Sequence, residues 1–180
     1  GEQFVRFPSG HTTVFAVATT VLSVLLALVL AAFLARVVRG RTGGLLELLY
    51  FAPVLVPMVP VTLGWREIFN YNHGVLNAFL GIFGVTRVPW LSDPTMALVA
   101  VIILSVWKQV GYNMIILIVG MRAIPYVFEE AAAVDGASAW QRFRHITLPL
   151  LAPVTLFVIV ITTIASYNVF TQVYVLASDV

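Results

Sequence analysis

Polar side chains are rare in the long apolar stretches of this sequence, and they fall into two groups. The first group surrounds the only lysine of the chain and comprises Lys108, Gln109, Tyr112 and Asn113, together with the glycine Gly111. The second group comprises Thr162, Ser166 and Asn168. Ammonium, amide and hydroxyl groups bind the hydroxyls or charges of a polar solute, but they also form hydrogen bonds between packed membrane helices. Both groups are therefore candidates for a solute pathway, and both have a structural alternative.

Lys108 has two interpretations that the sequence leaves open. A charge near the middle of a bilayer costs about 2.5–3.5 kcal/mol on insertion scales, so the ammonium must face a wet cavity or a partner group. In the first interpretation it lines the path of an anionic or polyhydroxyl solute. In the second it contacts a carbonyl or an acid on another helix.

The sequence contains none of the common catalytic or nucleotide-binding patterns. It has no cysteine, no His-Glu-x-x-His motif, no Gly-x-Ser-x-Gly motif and no Walker A motif. Its histidines, His11, His73 and His145, cannot form a metal site within one element. No Asp or Glu lies in the interior of the apolar stretches, where carriers driven by protons or sodium usually place a titratable group, although Glu47 and Glu67 sit at the ends of the second stretch. We therefore expect no catalytic residue, metal or cofactor in this chain, and a partner that supplies any energy.

The elements that position these residues are long apolar helices. Of the 180 residues, 61% are hydrophobic and 10% are charged, whereas a soluble domain has about 25% charged residues. The net charge of +2 is carried by residues too sparse for nucleic-acid binding. Four apolar stretches exceed the roughly 20 residues that a membrane span requires, at residues 11–37, 45–66, 95–121 and 151–177. The predicted fold is all-α, a polytopic membrane helical bundle, and Pro53, Pro57 and Pro60 predict a kinked or partly unwound second span.

Arginines are distributed unevenly between the predicted loops. The loops after the first and third spans carry Arg36, Arg39, Arg41, Arg122, Arg142 and Arg144. The opposite side carries Arg6, Arg66 and Arg87. Because basic residues that flank spans are enriched on the cytoplasmic side, we expect the first set to be cytoplasmic and the N-terminus to be external. The chain lacks an initiator Met and a signal-peptide pattern, so we expect it to be an incomplete part of a longer protein.

The most specific pattern lies in the predicted cytoplasmic loop, residues 122–149. Pro125 is suited to the beginning of a helix, and Glu129, Glu130 and the alanines that follow favour its continuation. Gly136 then suits the left-handed conformation that ends a helix. The pattern predicts a short helix with one slim alanine face.

A second short helix is predicted directly afterwards. Ser138 and Gln141 match a capping box, and the helix that they begin carries Trp140. Leu148 and Pro149 are expected to restart the chain as the fourth span. An exposed helix–turn–helix of this shape suits insertion into a groove on another protein.

The loop resembles the EAA motif of the permeases of binding-protein-dependent ABC importers. The resemblance rests on Glu130-Ala-Ala-x-x-Asp135-Gly136 followed by Ile146-x-Leu-Pro149. A fuller match, comprising Trp107-x-x-x-Gly111-Tyr112, Ile124-Pro125 and Tyr167-Asn168-x-Phe170, resembles the carbohydrate-uptake branch, which includes maltose, multiple-sugar and glycerol-3-phosphate permeases. The likeness extends over essentially all 180 residues and implies the type I ABC importer permease fold.

The resemblance also implies roles and partners. The loop would be a coupling helix that docks on a cytoplasmic ATPase, and its residues would be Glu129, Glu130, Ala131, Ala132, Asp135 and Gly136. The solute pathway would include Lys108, Gly111, Tyr112, Asn113, Thr162, Ser166 and Asn168. The implied partners are a second permease subunit in a heterodimer, a dimer of ATP-binding subunits that hold ATP and Mg, and an external solute-binding protein. The implied location is the bacterial cytoplasmic membrane.

The expected function is therefore that of the membrane-spanning subunit of an ATP-driven importer, without enzymatic activity of its own. The solute is expected to be a neutral sugar or a related polyol or glycerol phosphate, and the sequence leaves this choice open. The alternative is a stand-alone channel or an ion-coupled secondary carrier.

Overall fold

The structure, a computed structural model, describes the backbone of residues 9–37 and 41–168 and the side chains of residues 12–35 and 43–168. The helices are α1 (Ser9–Val37), α2 (Arg41–Leu55), α3 (Met58–Ile68), α4 (Val75–Ile82), α5 (Pro94–Arg122), α6 (Tyr126–Val134), α7 (Ala139–Arg142) and α8 (Leu148–Tyr167). A π-helical segment, Phe143–Thr147, joins α7 to α8. This part of the chain contains no strand, and the predicted all-α fold is confirmed.

Within the described residues, three helices are long and apolar enough to cross a membrane. They are Thr12–Ala35, Pro94–Arg122 and the continuous helix Ala139–Tyr167. Helices α2 and α3 meet the same criteria only as a pair, which makes a fourth span if the pair crosses as one unit. The fourth predicted span continues to residue 177, and its residues 169–177, like Phe170 of the quoted motif, lie outside the described residues.

The pair α2–α3 contains the expected distortion. The two helices are bent by 99° at the break between them. Pro57 at the break has an extended conformation, with φ −55° and ψ 150°. Because a proline donates no backbone hydrogen bond and its ring clashes with the carbonyl four residues earlier, Pro57 and Pro60 prevent one continuous helix here.

Helix α5 is the centre of the bundle and packs against α1, α8 and α2. Its contact with α1 includes Ala27 and Ala31, which are fully buried beside Met114 and Leu117 of α5. Lipid is as apolar as these side chains, so membrane helices gain from close contact between small residues rather than from hydrophobic burial. The alanines of α1 therefore set the close approach of α1 to α5.

A compact connection between α3 and α5 is organised by one asparagine. The Asn77 side chain, on α4, donates to the carbonyls of Tyr71 (3.3 Å) and Val88 (3.0 Å) and accepts from the Val88 amide (3.1 Å). The indole N–H of Trp90 also donates to Asn77 Oδ1, at 3.0 Å. This network fixes Trp90 beside Phe69, whose ring centroid lies 5.8 Å away.

One local expectation is wrong. Leu148 and Pro149 do not restart the chain, because α7, the π-helical segment and α8 form one helix from Ala139 to Tyr167. The amide of Leu148 donates to the carbonyl of Phe143, five residues earlier. Pro149 has no amide hydrogen to continue the regular ladder, and the wider π-helical turn absorbs this defect without a break.

Candidate functional site

The α6–α7 hairpin, residues 125–142, projects from the helical bundle. None of the nine residues of α6 is buried, and Val134 is 88% exposed. Helix α6 begins at Tyr126, directly after Pro125, whose φ of −58° is already close to the helical value. The hairpin therefore presents a whole helix, including apolar side chains, on the outside of the chain.

The turn of the hairpin depends on Gly136. Its φ of +81° lies in the left-handed region, which glycine adopts without steric cost. The amide of Gly136 donates to the carbonyl of Ala133 (3.1 Å), and that of Ala137 donates to the carbonyl of Ala132 (2.9 Å). These two bonds form a Schellman motif, which satisfies the last carbonyls of α6 and fixes the direction of the chain. The helix end predicted at Gly136 is confirmed.

The second helix begins with the predicted capping box. The Gln141 amide donates to Ser138 Oγ at 3.3 Å, and the Ser138 amide donates to Gln141 Oε1 at 2.7 Å. Arg142 Nη1 donates to the carbonyl of Ala137 at 3.3 Å and so joins α7 to the turn. Between the two helices lies a notch of about 360 Å³ that includes Asp135, Gly136 and Gln141. These hydrogen bonds give the hairpin a fixed conformation.

The acidic residues of the hairpin differ in their contacts. Thr147 Oγ1 donates to Glu129 Oε1 at 3.2 Å, which connects α6 to the π-helical segment before α8. Glu130 and Asp135 are exposed, as is Ala131, while Ala132 is half-buried. Glu129 thus holds the hairpin against α8, and Glu130 and Asp135 are accessible to another protein.

An ion pair at the start of the hairpin was not predicted from the sequence. Arg122, the last residue of α5, donates through Nη2 to Glu47 Oε1 of α2. The Glu47 side chain is only 17% exposed, whereas that of Arg122 is 59% exposed. The one available sequence signal was that Glu47 is the acidic residue at the beginning of the second apolar stretch. The pair joins α2 to the point where the chain leaves the bundle for the hairpin.

Two of the predicted pathway residues meet inside the bundle. Thr162 Oγ1 of α8 donates to Asn113 Oδ1 of α5 at 3.1 Å, and Asn113 Nδ2 donates to Ser23 Oγ of α1 at 3.4 Å. All three side chains are buried. Ser23 lies one helical turn after Thr19 and Thr20, and this cluster of hydroxyl side chains is the sequence signal that could have pointed to it. This three-helix contact links the cores of α1, α5 and α8.

The other pathway candidates on these helices lie in different surroundings. Ser166 is buried and donates to the carbonyl of Thr162 at 2.8 Å. Tyr112 is 46% exposed, and Asn168 is exposed and donates to the carbonyl of Ile164 at 3.4 Å. The structure therefore brings Asn113, Thr162 and Ser166 together but leaves Tyr112 and Asn168 on the surface of the described chain.

Gly111 has a packing role in this structure. A Cβ atom added at Gly111 would lie 1.9 Å from the carbonyl oxygen of Tyr50 and 3.2 Å from Phe51 Cα. Only a residue without a side chain allows the backbones of α2 and α5 to approach this closely.

Lys108 contacts the same helix one turn earlier along α5. Its Nζ donates to the carbonyl oxygens of Pro53, at 2.8 Å, and Val56, at 2.6 Å. The first carbonyl lies in the last turn of α2 and the second at the break before α3. The structure therefore contains the second of the two interpretations of Lys108, in which the ammonium contacts backbone carbonyls outside its own helix.

The described residues offer no evident metal site. Among them, no group of three His, Cys, Asp or Glu side chains is placed to hold a metal ion. The histidine contacts are local, since His73 Nε2 lies 3.1 Å from Glu67 Oε2 and His145 Nδ1 lies 3.0 Å from the Gln141 carbonyl.

Comparison with known proteins gives consistent results. Residues 10–180 match the family described as "Binding-protein-dependent transport system inner membrane component". The trehalose/maltose transport system permease protein MalF of Thermococcus litoralis is 38% identical over 165 residues, covering 92% of this chain and 55% of the relative. The sn-glycerol-3-phosphate transport system permease protein UgpA of Agrobacterium fabrum is 36% identical over 156 residues, covering 87% and 52%. The lactose transport system permease protein LacF of Rhizobium radiobacter is 34% identical over 166 residues, covering 91% and 55%.

Two solved structures have the same fold. A bacterial ABC transporter involved in the import of the acidic polysaccharide alginate aligns with a TM-score of 0.82 at 23% identity, covering 100% of this chain and 65% of the other. A bacterial alginate ABC transporter in complex with an alginate pentasaccharide-bound periplasmic protein aligns with a TM-score of 0.78 at 25% identity, covering 90% and 56%. The chain spans about half the length of the curated relatives that it matches.

Proposed function

Because the chain belongs to the family of binding-protein-dependent transport system inner membrane components, we propose that it forms part of the membrane-spanning subunit of an ATP-driven importer. The observation that carries this proposal is the α6–α7 hairpin, in which an exposed helix of fixed direction connects α5 to α8. A channel or an ion-coupled carrier has no need of such an element.

The hairpin is built to transmit a displacement. Helix α7 continues through the π-helical segment into α8, so a movement at Trp140 reaches α8 without an intervening loop. At the other end, the ion pair between Arg122 and Glu47 connects the exit of α5 to α2. Interfaces and packed helices switch between discrete arrangements, so a small shift at a docking site is converted into a rearrangement of the helices. In the proposed function an ATPase subunit binds α6, and the nucleotide-driven closure of the ATPase moves α5 and α8.

No acid lies in the interior of the apolar stretches, and Glu47, at the beginning of the second stretch, is paired with Arg122. This supports an energy source outside the chain. The sequence has no nucleotide-binding motif either, so ATP and Mg belong to partner subunits in this proposal, and the chain itself has no enzymatic activity. The further proposed partners are a second permease subunit and a solute-binding protein outside the bacterial cytoplasmic membrane. A complex of an alginate transporter with a periplasmic protein is a structural precedent for the last of these.

The proposed solute is a sugar or a related polyol or glycerol phosphate. The names of the similar permeases, which transport trehalose or maltose, lactose and sn-glycerol-3-phosphate, support this class. In this proposal the solute passes along the polar residues of α5 and α8, which are Tyr112, Asn113, Thr162, Ser166 and Asn168. The other two candidates, Lys108 and Gly111, contact the backbone of α2 and the break after it. Both the neutral sugar and the phosphate ester remain candidates.

Reconstitution of the full-length permease tests the energy source. Liposomes that contain the permease, its ATPase and its binding protein should accumulate radiolabelled solute only when they enclose ATP and Mg. Liposomes that contain the permease alone should not accumulate solute under a proton or sodium gradient. Uphill uptake in the second preparation would overturn the proposal and support an ion-coupled carrier.

A further inference from the structure

The break between α2 and α3 leaves specific carbonyls without their regular donors. In an α-helix the carbonyl of each residue accepts from the amide four residues later. The carbonyl of Pro53 would need the amide of residue 57, and that of Val56 would need the amide of residue 60. Both positions are prolines, which have no amide hydrogen. The two carbonyls deprived in this way are the ones that Lys108 Nζ contacts, at 2.8 and 2.6 Å.

We propose that the Lys108 ammonium takes the place of the amide donors missing at Pro57 and Pro60, and so holds the bent α2–α3 pair against α5. Lys108 is then a positioning residue rather than a residue that contacts the solute. This inference concerns the shape of the bundle and does not depend on which solute or energy source the transporter uses.

Three properties of the site favour a lysine. Unsatisfied backbone carbonyls are costly at membrane depth, where no bulk water replaces the lost partner. The carbonyl end of α2 is the negative end of its helix dipole, and a cation is stabilised there. An ammonium on a flexible four-carbon chain has three donors, so one group can serve two carbonyls that face different directions.

The neighbouring contacts explain why the hydrogen bonds of Lys108 affect the position of α3 in particular. Helix α2 is already held to α5 by the close contact at Gly111 and by the Arg122–Glu47 ion pair. Those contacts lie before the break, whereas Lys108 donates a hydrogen bond to Val56 at the break itself. Helix α3 also packs on α5 through Trp65, whose ring centroid lies 5.4 Å from that of Trp107. Loss of the ammonium would therefore leave α2 in place and loosen the angle between α2 and α3, without separating α3 from α5.

The decisive experiment compares Lys108→Met in three backgrounds of the full-length permease in its assembled complex. Pro57→Ala/Pro60→Ala restores both missing amides. Pro53→Ala is the matched control, since it restores an amide toward Leu49 and toward neither carbonyl that Lys108 contacts. The readouts are the midpoint of thermal unfolding and the distance between spin labels at Leu48→Cys on α2 and Leu63→Cys on α3. Both label sites are exposed, and the 180 residues contain no native cysteine.

In the native background, Lys108→Met should lower the midpoint by about 5–10 °C, the range expected for the loss of two charge-assisted hydrogen bonds. It should also broaden the distribution of distances between the labels. Both effects should fall to less than about half with Pro57→Ala/Pro60→Ala and persist with Pro53→Ala. If the double proline variant does not assemble, the single variants Pro57→Ala and Pro60→Ala should each give a partial rescue.

Equal effects of Lys108→Met in all backgrounds would overturn the inference, as would an unchanged distance distribution in the native background. Loss of uptake with the midpoint and the distances unchanged would assign Lys108 to the solute pathway instead. Lys108→Arg, which keeps the charge and its donors, should retain at least half of the thermal stability that Lys108→Met loses.

Discussion

The turn at Gly136 gives the sharpest prediction for the α6–α7 hairpin. A residue with a side chain costs about 1–2 kcal/mol in the left-handed conformation that Gly136 adopts, a factor of about 5–30 in the population of the turn. No atom lies within 4 Å of a Cβ placed there, so the cost comes from the backbone and not from a clash. The two bonds of the Schellman motif, at 3.1 and 2.9 Å, would be lost when the chain relaxes to a negative φ.

The assay is ATP-dependent uptake by the full complex, with Gly136→Asn, Gly136→Ala and Gly136→Val compared at equal membrane levels. Asn tolerates the left-handed conformation, Ala does so less readily and a β-branched Val least of all. We expect uptake near the native level for Asn, and a several-fold loss for Val, with Ala between them. The thermal unfolding midpoint of the complex should hardly change, because Gly136 is exposed and outside the helical bundle. Native uptake by Gly136→Val, or equal losses for Asn and Val, would refute the argument from backbone conformation.

Three further predictions concern the contacts of α5. Gly111→Ala should lower the unfolding free energy of the complex by about 1–3 kcal/mol, because its Cβ would overlap the Tyr50 carbonyl; an unchanged thermal midpoint would contradict this. Asn113→Leu should cost about 1–3 kcal/mol, since it leaves the buried Thr162 and Ser23 hydroxyls without that partner, and a cost below about 0.5 kcal/mol would count against the network. Arg122→Gln and Glu47→Gln should each cost under about 1 kcal/mol because the pair is partly exposed, and a double-mutant cycle should detect their coupling.

Local features of the hairpin were predictable from the sequence because their causes lie within a few residues. The helix end at Gly136 and the capping box at Ser138 each require only a backbone conformation and a side chain three residues away. The prolines of the second apolar stretch likewise predicted a distortion, which the structure contains as the bend between α2 and α3. The wrong expectation at Pro149 has a local cause as well, since a proline near the start of a helix does not reveal whether the preceding turn is regular, broken or π-helical.

The contacts between helices were not predictable in the same way. Asn113 meets Ser23 across 90 positions of the chain, and Lys108 meets Pro53 across 55. Periodicity places a residue on a face of its helix but does not choose the neighbouring helix or its depth. The sequence therefore identified Lys108, Asn113 and Thr162 as unusual without identifying their partners. Ser23 and Glu47 carried only weak signals in the sequence.

The central claim, that the α6–α7 hairpin couples this permease to an ATPase, is tested most directly by cross-linking. A cysteine introduced at Ala133 on exposed α6 should cross-link to the ATPase subunit of the assembled complex, with a yield that changes when ATP is added. A cysteine at Leu25, on the exposed face of α1, is the control and should not cross-link to that subunit. Two results would contradict the claim. One is a cross-linking yield from Leu25→Cys as high as that from Ala133→Cys. The other is no cross-link from Ala133→Cys in a complex that still hydrolyses ATP and takes up solute.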